Sequence, residues 1–443
     1  CHVVGCNLHQ RDGNLPGVSS KTLYLSDVFR TLTSPTDIDQ MEIREDRTYV
    51  ERMKRQKREV VVTDLPIIAL QTLVCMMNAR DLASLSGVCS LFHHLAYEVV
   101  PGLNLVLYRH QRKALKFLLY REAPPYAHKS VLPHPFIFPP MHRPNAPISI
   151  DLVDRKIIAE PTPGTQDCRG GLFCDEPGLG KTITILALLL RTKGQRVKSV
   201  PDTEEHSSRQ GTLGRLRSSE SRGRTVKATQ LVNSASTLII VPTPLVDHWK
   251  FQIETHVEPG ALKVFIDSDH SKSLPSSAQL VKYDVVITSF DRLLEQWRTN
   301  KPTSALEERA PQRYGFEDQS RFVDGTVRGE LSSLLRVHWV RIVVDEGHQL
   351  GGTAETSQMR MARIFCAERR WIMTGTPTPN TMQSADLRHM HGLLVFLKEA
   401  PYGHPDGKAW LKAIAKPFEK HDAIAFLRLQ HLLSRIMMRH TKE

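Results

Sequence analysis

The chain has 443 residues, 40% of them hydrophobic and 24% charged, with a formal net charge of +12. That length suits about two to four domains, and the apolar content is enough for packed cores, which excludes a wholly disordered chain. The longest apolar run, ITILALLL at 183–190, is far short of the roughly 20 residues of a membrane span, and the polar opening CHVVGCNLHQRDG has no secretory core, so a soluble protein with no membrane contact is expected.

The basic excess favours a polyanionic partner such as nucleic acid, although part of it sits in a stretch that reads as disordered. The seven cysteines are dispersed, and Cys75, Cys89, Cys174 and Cys366 have apolar neighbours, as in a reduced, intracellular protein without a disulfide frame. A chain beginning at Cys1 rather than methionine suggests a piece of something longer.

Residues 1–60 show little periodicity and are expected to be mostly disordered. Within them, Cys1, His2, Cys6 and His9 read either as the remnant of a metal site or, more simply, as a polar tail. The run RMKRQKR at 52–58 fits a nuclear localisation signal, a nucleic-acid contact or a solvated charge run. In 61–107, Leu70, Leu73, Val74 and Met77 recur at helical spacing, as do Leu82, Leu85, Val88, Cys89 and Phe92. With Asp81 as N-cap of the second helix, two or three short helices form a small all-helical module. RHQRKALKFLLYRE then reads as a helix, and the proline-rich 124–169 as loop.

From 170 onward the pattern is strand, loop, helix, repeated. GGLF precedes a glycine loop and the helix of KTITILALLL. TLIIV, DVVITS, VRIVV and RRWIM are short β-branched runs, each ending in a turn or a helix start. Such alternation implies an α/β fold with a parallel sheet covered by helices on both faces. Residues 193–236 and 298–330 break the rhythm as flexible insertions, and 407–440 is expected to be helical.

Parallel sheets bind ligands at the carboxyl ends of their strands. Gly178, Leu179, Gly180, Lys181 and Thr182 lie there, where loop amides and a helix N-terminus cradle phosphate, Lys181 reaches the distal phosphates and Thr182 holds Mg²⁺. A strict phosphate loop carries glycine at position 175, where this chain has Asp175, so a chance glycine turn competes. After a later strand come Asp345 and Glu346, suited to a Mg²⁺ shell and to orienting an attacking water, against the plainer reading of an acidic turn.

These motifs together resemble the Swi/Snf-type DNA-dependent ATPases of helicase superfamily two, over about residues 105–443. That family writes its loop D-E-M-G-L-G-K-T, so Asp175 belongs, while Pro177 replaces its methionine. RHQRKALKFL resembles the adenine-reading segment, which implies Gln111 at the base. LIIVPTPLVDHW, DVVITSFDRL, DEGH and MTGTPTPN resemble the following motifs in order. The wording around DEGH and MTGTPTPN is most similar to the post-replication repair branch, the helicase-like transcription factor group. The resemblance implies a RecA-like lobe that uses ATP and Mg, with Lys181, Asp345 and Glu346 catalytic. It further implies Thr243 and Ser289 on the DNA backbone and Thr374, Gly375 and Thr376 coupling nucleotide to DNA, while His348 reads either as a bridge between the nucleotide and DNA sides or as a packed turn residue. It also implies double-stranded DNA or chromatin as partner, a nuclear location, and a second lobe carrying the arginines that complete hydrolysis. The sequence up to Glu443 shows only one such lobe, so these residues alone are expected to turn over almost nothing.

Residues 61–107 resemble an F-box, with Leu65-Pro66 opening it, Asp81-Leu82 in its middle, then Val88-Cys89 and Phe92. That implies docking to a Skp-type adaptor of a cullin–RING ubiquitin ligase, against the simpler reading of a helical hairpin packed on the lobe. The alternative to a motor is then a substrate receptor whose ATPase lobe only docks DNA or chromatin.

Overall fold

The β-branched runs become neighbouring strands of one sheet. The computed structural model describes residues 24–32, 62, 65–77, 79–123, 131–140, 147–196, 229–269, 271–300, 322–323, 332–351, 356–378 and 383–442. The elements used below begin with helices α1 (Leu25–Leu32), α2 (Ile67–Cys75), α3 (Ala79–Ser86), α4 (Ser90–Glu98) and α5 (Arg109–Glu122). Strand β1 (Gly170–Phe173), helix α6 (Lys181–Arg191), strand β2 (Thr237–Val241) and helix α7 (Val246–His256) follow. Next come strands β3 (Val264–Ile266) and β4 (Val285–Ser289), helix α8 (Phe290–Asn300), strand β5 (Val337–Val344) and helix α9 (Ser357–Ile364). Strand β6 (Cys366–Met373), helices α10 (Gln383–Leu397) and α11 (Ala423–Ile436) and strand β7 (Met437–Met438) complete the series.

The sheet runs β3-β4-β2-β5-β6-β1-β7, with Val232–Asn233 as an eighth strand beside β5. Every pairing in it is parallel. The period-two geometry of a strand sorts its side chains to opposite faces. Leu238, Ile240, Ile342 and Val344 join one core with α1, α8, α9, α10 and α11. Ile239, Val241, Val343 and Met373 join the other with α5, α6 and α7. This is the expected α/β architecture, a RecA-like parallel sheet covered on both faces. Strands β5 and β6, made late in the chain, insert between β2 and β1, which brings their carboxyl ends next to the glycine loop.

Helices α2, α3 and α4 pack on each other through Leu70, Val74, Leu82, Phe92, Leu95 and Ala96. Val100 and Leu107, in contrast, belong to the core under α5, so the segment leading out of the helical module already packs on the lobe. Asp81 is not the N-cap: α3 begins at Ala79, and Asp81 sits in its first turn, where its charge still suits the helix dipole.

Four other details differ from expectation. Leu25, Val28 and Phe29 make α1 a buried helix on the main core, because three apolar residues at i, i+3 and i+4 suffice once a sheet face needs cover. The proline-rich 124–169 holds short antiparallel strands at Val131–Leu132, Ile137–Phe138, Ser149–Asp151, Lys156–Ile158 and Thr165–Gln166. Between prolines such strands are too short to show alternation. Residues 437–438 form a strand rather than helix, since Met437 is extended and pairs with β1. The stretch 408–419 is helical but broken by a π-helical turn at Leu411–Ala415.

Most of both insertions, the Cys1/His2/Cys6/His9 group and the basic run at 52–58 lie outside the described residues. Cys89, Cys168, Cys174 and Cys366 form no disulfide among the described residues. Among the described residues no helix is long and apolar enough to cross a membrane.

Behind the sheet lies a buried charge cluster. Glu122, at the end of α5, takes both nitrogens of the Arg341 fork from β5 and the Trp371 indole N–H from β6 at 2.7 Å. Arg369 adds a guanidinium 3.5 Å away. Burial pushes the Glu122 pKa up, but the Arg341 charge and hydrogen bonds, with Arg369 and Trp371, outweigh it, so the net direction is down. Glu122→Ala is expected to cost about 3–5 kcal/mol, because it leaves buried guanidinium groups uncompensated. Urea unfolding at neutral pH measures this. The deficit should shrink as the pH falls below about 4.3 toward the depressed native value, where wild-type Glu122 also loses its charge.

Candidate nucleotide and nucleic-acid site

Strand β1 leads into the loop 174–180, and α6 starts at Lys181. The turn needs glycine at position 180. Its φ is 76°, and a Cβ there would lie 2.2 Å from Gln111 Nε2. Lys181 Nζ donates to the Asp175 carbonyl at 2.8 Å and reaches that of Glu176 at 3.4 Å, folding back over the loop. Thr182 follows in the first turn of α6, beside the free amides of the helix N-terminus.

Helix α5 presses its N-terminus on the same loop. Gln111 is buried, accepts from the Tyr108 amide at 2.9 Å, and directs Nε2 at the Leu179 and Gly180 carbonyls (3.4 and 3.5 Å). His110 Nε2 lies 3.0 Å from the Leu179 carbonyl.

Asp345 leaves the end of β5 buried at 6% exposure. Oδ2 accepts the Trp249 indole N–H from α7 at 2.9 Å, and Oδ1 accepts the Glu346 amide at 2.9 Å. Burial raises the Asp345 pKa, while those two donors and the Lys181 charge pull against it. Lys181 starts α6 directly after the loop that follows β1, and Asp345 directly follows β5, so both stand on the carboxyl edge of the sheet. Glu346 holds a left-handed backbone (φ 47°), which no glycine relieves. Its carboxylate lies 3.1 Å from His348 Nδ1, and that nitrogen lies 3.2 Å from Thr374 Oγ1 at the end of β6. Thr374 Oγ1 in turn accepts the Thr376 amide at 3.1 Å. Gly375 lets Pro177 approach: a Cβ on it would meet the proline Cδ at 2.7 Å. The 345–348 turn, the 374–376 turn and the phosphate-type loop are therefore in continuous contact.

Two candidates for DNA contact fall differently. Thr243 is exposed and donates to Asp291 at 2.5 Å, on the same edge. Ser289 is fully buried, and its hydroxyl accepts the Arg292 amide at 3.1 Å, capping the start of α8. Its side chain does not face outward, which corrects the expectation of a phosphate-backbone donor. Sequence reasoning missed Trp249 as the partner of Asp345 and Pro177 as the partner of Gly375. Both residues stand inside recognised motifs, but nothing in the spacing paired them.

The residues fit an ATP–Mg group. Gly178 and Gly180 hold positive φ in the loop, Lys181 hydrogen-bonds to carbonyls alone among the described residues, and a buried Asp345 with a raised pKa is a carboxylate whose burial cost a cation would offset.

Trp249→Phe tests the electrostatics of Asp345. Removing the indole N–H leaves Oδ2 unsatisfied and is expected to cost about 1–3 kcal/mol at neutral pH. Because the native Asp345 pKa is already raised and would rise further, the cost should shrink as pH falls and the carboxyl protonates. Thermal melts across pH 4–8 read this, and a pH-independent deficit would show that Trp249 acts only by packing.

A family model described as SNF2-related domain matches residues 110–443. The chain is 38% identical over 215 residues to an Arabidopsis thaliana F-box protein, covering 48% of the chain and 13% of that protein. It is 30% identical over 353 residues to an Arabidopsis thaliana putative SWI/SNF-related matrix-associated actin-dependent regulator of chromatin, covering 76% of the chain and 34% of that protein. Identity to DNA repair protein RAD5A of the same plant is 28% over 289 residues, covering 62% and 25%. The chain thus spans between 13% and 34% of the length of these relatives. Among solved structures, the Sulfolobus solfataricus SWI2/SNF2 ATPase core in complex with dsDNA is similar, at 17% identity and a TM-score of 0.41 over 77% of this chain and 46% of that one. With the family model covering the lobe from its first motif to its last, the chain belongs to the SNF2-related family of helicase-like ATPases.

Proposed function

We propose that the chain is the nucleotide-binding lobe of an ATP-driven translocase on double-stranded DNA or chromatin, acting in DNA repair in the nucleus. One observation carries the reading: Lys181, Asp345, Glu346 and Thr374 stand on one edge of a parallel sheet, where His348 links Glu346 to Thr374. In this reading the amides of 178–182 and Lys181 bind the phosphates of ATP, and Thr182 and Asp345 hold Mg²⁺. Magnesium neutralises charge on the phosphates when bound. Glu346 positions the attacking water, its carboxylate aimed by the left-handed turn and the His348 contact. Gln111 reads the base. Thr374, Gly375 and Thr376 sense the nucleotide through His348 and Pro177 and pass its state toward a DNA track that includes Thr243. The arginines that stabilise the transferring phosphoryl group come from a second lobe.

The test uses the full-length protein. Duplex DNA should stimulate ATP turnover, Lys181→Ala should abolish it, and Glu346→Gln should lower it about 10²–10⁴-fold while DNA binding persists. Flat, DNA-independent turnover in the intact protein would sink the motor.

A second reading, a ubiquitin-ligase substrate receptor, draws on the helical module. Ile67, Leu73, Met76 and Val88 are 45%, 44%, 81% and 68% exposed, an unusual share for so small a unit. The F-box likeness gives that surface a use, docking a Skp-type adaptor. Leu82 is only 5% exposed and belongs to the module's own core, so the informative variants are Met76→Asp and Val88→Asp. Each should cut co-purification with the adaptor at least about tenfold, the scale of burying an unpaired charge in an apolar contact. Undiminished recovery with both variants would discard the adaptor.

A further inference from the structure

The glycine loop has a neighbour that the functional reading does not use. Strand β7 pairs with β1, and its partnership continues past the strand: the Cys174 amide donates to the Met438 carbonyl at 2.7 Å, and the Glu176 amide to that of His440 at 3.1 Å. Within the strap 437–442, the main chain of 437–440 therefore runs in register with β1 and the start of the loop.

Side chains tighten the contact. Asp175 is 1% exposed, and its Oδ1 accepts both the His440 amide (2.8 Å) and His440 Nδ1 (2.9 Å). The backbone carbonyl of the same residue holds Lys181 Nζ, so one loop residue touches the strap on one side and the phosphate lysine on the other. Among the described residues, Asp175 Oδ2 is buried without a partner. The His440 ring also meets His110 edge-on at 5.9 Å, joining the strap to the helix of Gln111. Finally, the Lys442 amide donates to Glu176 Oε2 at 3.1 Å, and Lys442 Nζ reaches over Gly178, where a Cβ would come within 3.3 Å of it. A side chain at 178 would crowd that ammonium away from the mouth of the loop.

We infer that residues 437–442 form a further wall of the nucleotide site, in which His440 positions the loop through Asp175 and the Lys442 ammonium joins Lys181 on the phosphates of the bound nucleotide. The physical basis is simple. A triphosphate carries more charge than one lysine and a helix terminus neutralise, and a lysine serves phosphate as a mobile point charge. An exposed lysine is usually just solvated, but here its own amide is held by Glu176 and the His440 carbonyl two residues before it takes the Glu176 amide.

The inference rests on the loop being the ATP site, and the experiment separates the two. Equilibrium titration of full-length protein with Mg–ATP, without DNA, compares Lys181→Ala, Lys442→Ala, Lys442→Arg, His440→Ala and His440→Asn. Lys442→Ala should weaken binding about 10- to 100-fold, the scale of one hydrogen bond to a charged group, with Lys442→Arg close to wild type. His440→Ala should weaken binding too. His440→Asn should restore most of it, since an amide N–H can replace the ring donor to Asp175, and a merely structural loss would not be rescued so selectively. If Lys181→Ala abolishes binding while Lys442→Ala leaves it unchanged, the strap is no part of the site. If Lys181→Ala also binds normally, the loop is not the nucleotide site and both readings fall.

Discussion

One buried carboxylate sets the register of the functional edge. Glu122 is charged, fully enclosed and shared by a guanidinium from β5, a second from β6 and an indole from β6. Its helix begins beside the glycine loop with Gln111, while β5 ends at Asp345 and β6 at Thr374. A one-residue slip of either strand would turn Arg341 or Trp371 to the opposite face and leave Glu122 without its partners. Such a cluster gains little net stability over apolar packing. What it contributes is position: the wrong register carries a bare buried charge, and so is rejected.

The front of the sheet uses short contacts instead. Pro177 packs on Gly375, Glu346 contacts His348, and His348 reaches Thr374. The proline that departs from the family pattern fits this arrangement. It offers no amide to a phosphate, but the amides nearest the helix start come after it, and its ring finds a surface that only a glycine can present. The loop and the 374–376 turn thus meet in direct van der Waals contact.

Much of this was legible in the sequence, and the remainder was not for identifiable reasons. TLIIV, DVVITS, VRIVV and RRWIM announced parallel strands because a strand buried on both faces must be apolar throughout. The loop and DEGH announced themselves through residue types tied to phosphate and metal chemistry. Helix α1 escaped because its signal is one pair of turns, and β7 because MM after a long amphipathic helix reads as more helix. Ser289 was misplaced because a motif names a residue without saying which way its side chain points. The Glu122 cluster was invisible, since its members are 219 and 249 residues apart in the chain and only the strand order brings them together.

The loop, the acidic turn and the strap share an electrostatic trait. Asp345 is buried enough to raise its pKa, and among the described residues Lys181 rests on main-chain carbonyls rather than on a carboxylate and Asp175 keeps an oxygen enclosed without a donor. Buried polar groups ordinarily satisfy one another, because leaving them unmet costs free energy that folding must absorb elsewhere. Here the shortfalls are of both signs and lie on the same edge, at the end of the only sheet large enough among the described residues to support them. Strengthening the local pairs, for instance by letting Lys181 close on a carboxylate, would make the lobe more stable and less able to receive an anion with its cation. Incomplete pairing of this kind suits an edge that receives a charged ligand, while the Glu122 cluster behind the sheet holds the strands that carry it in register.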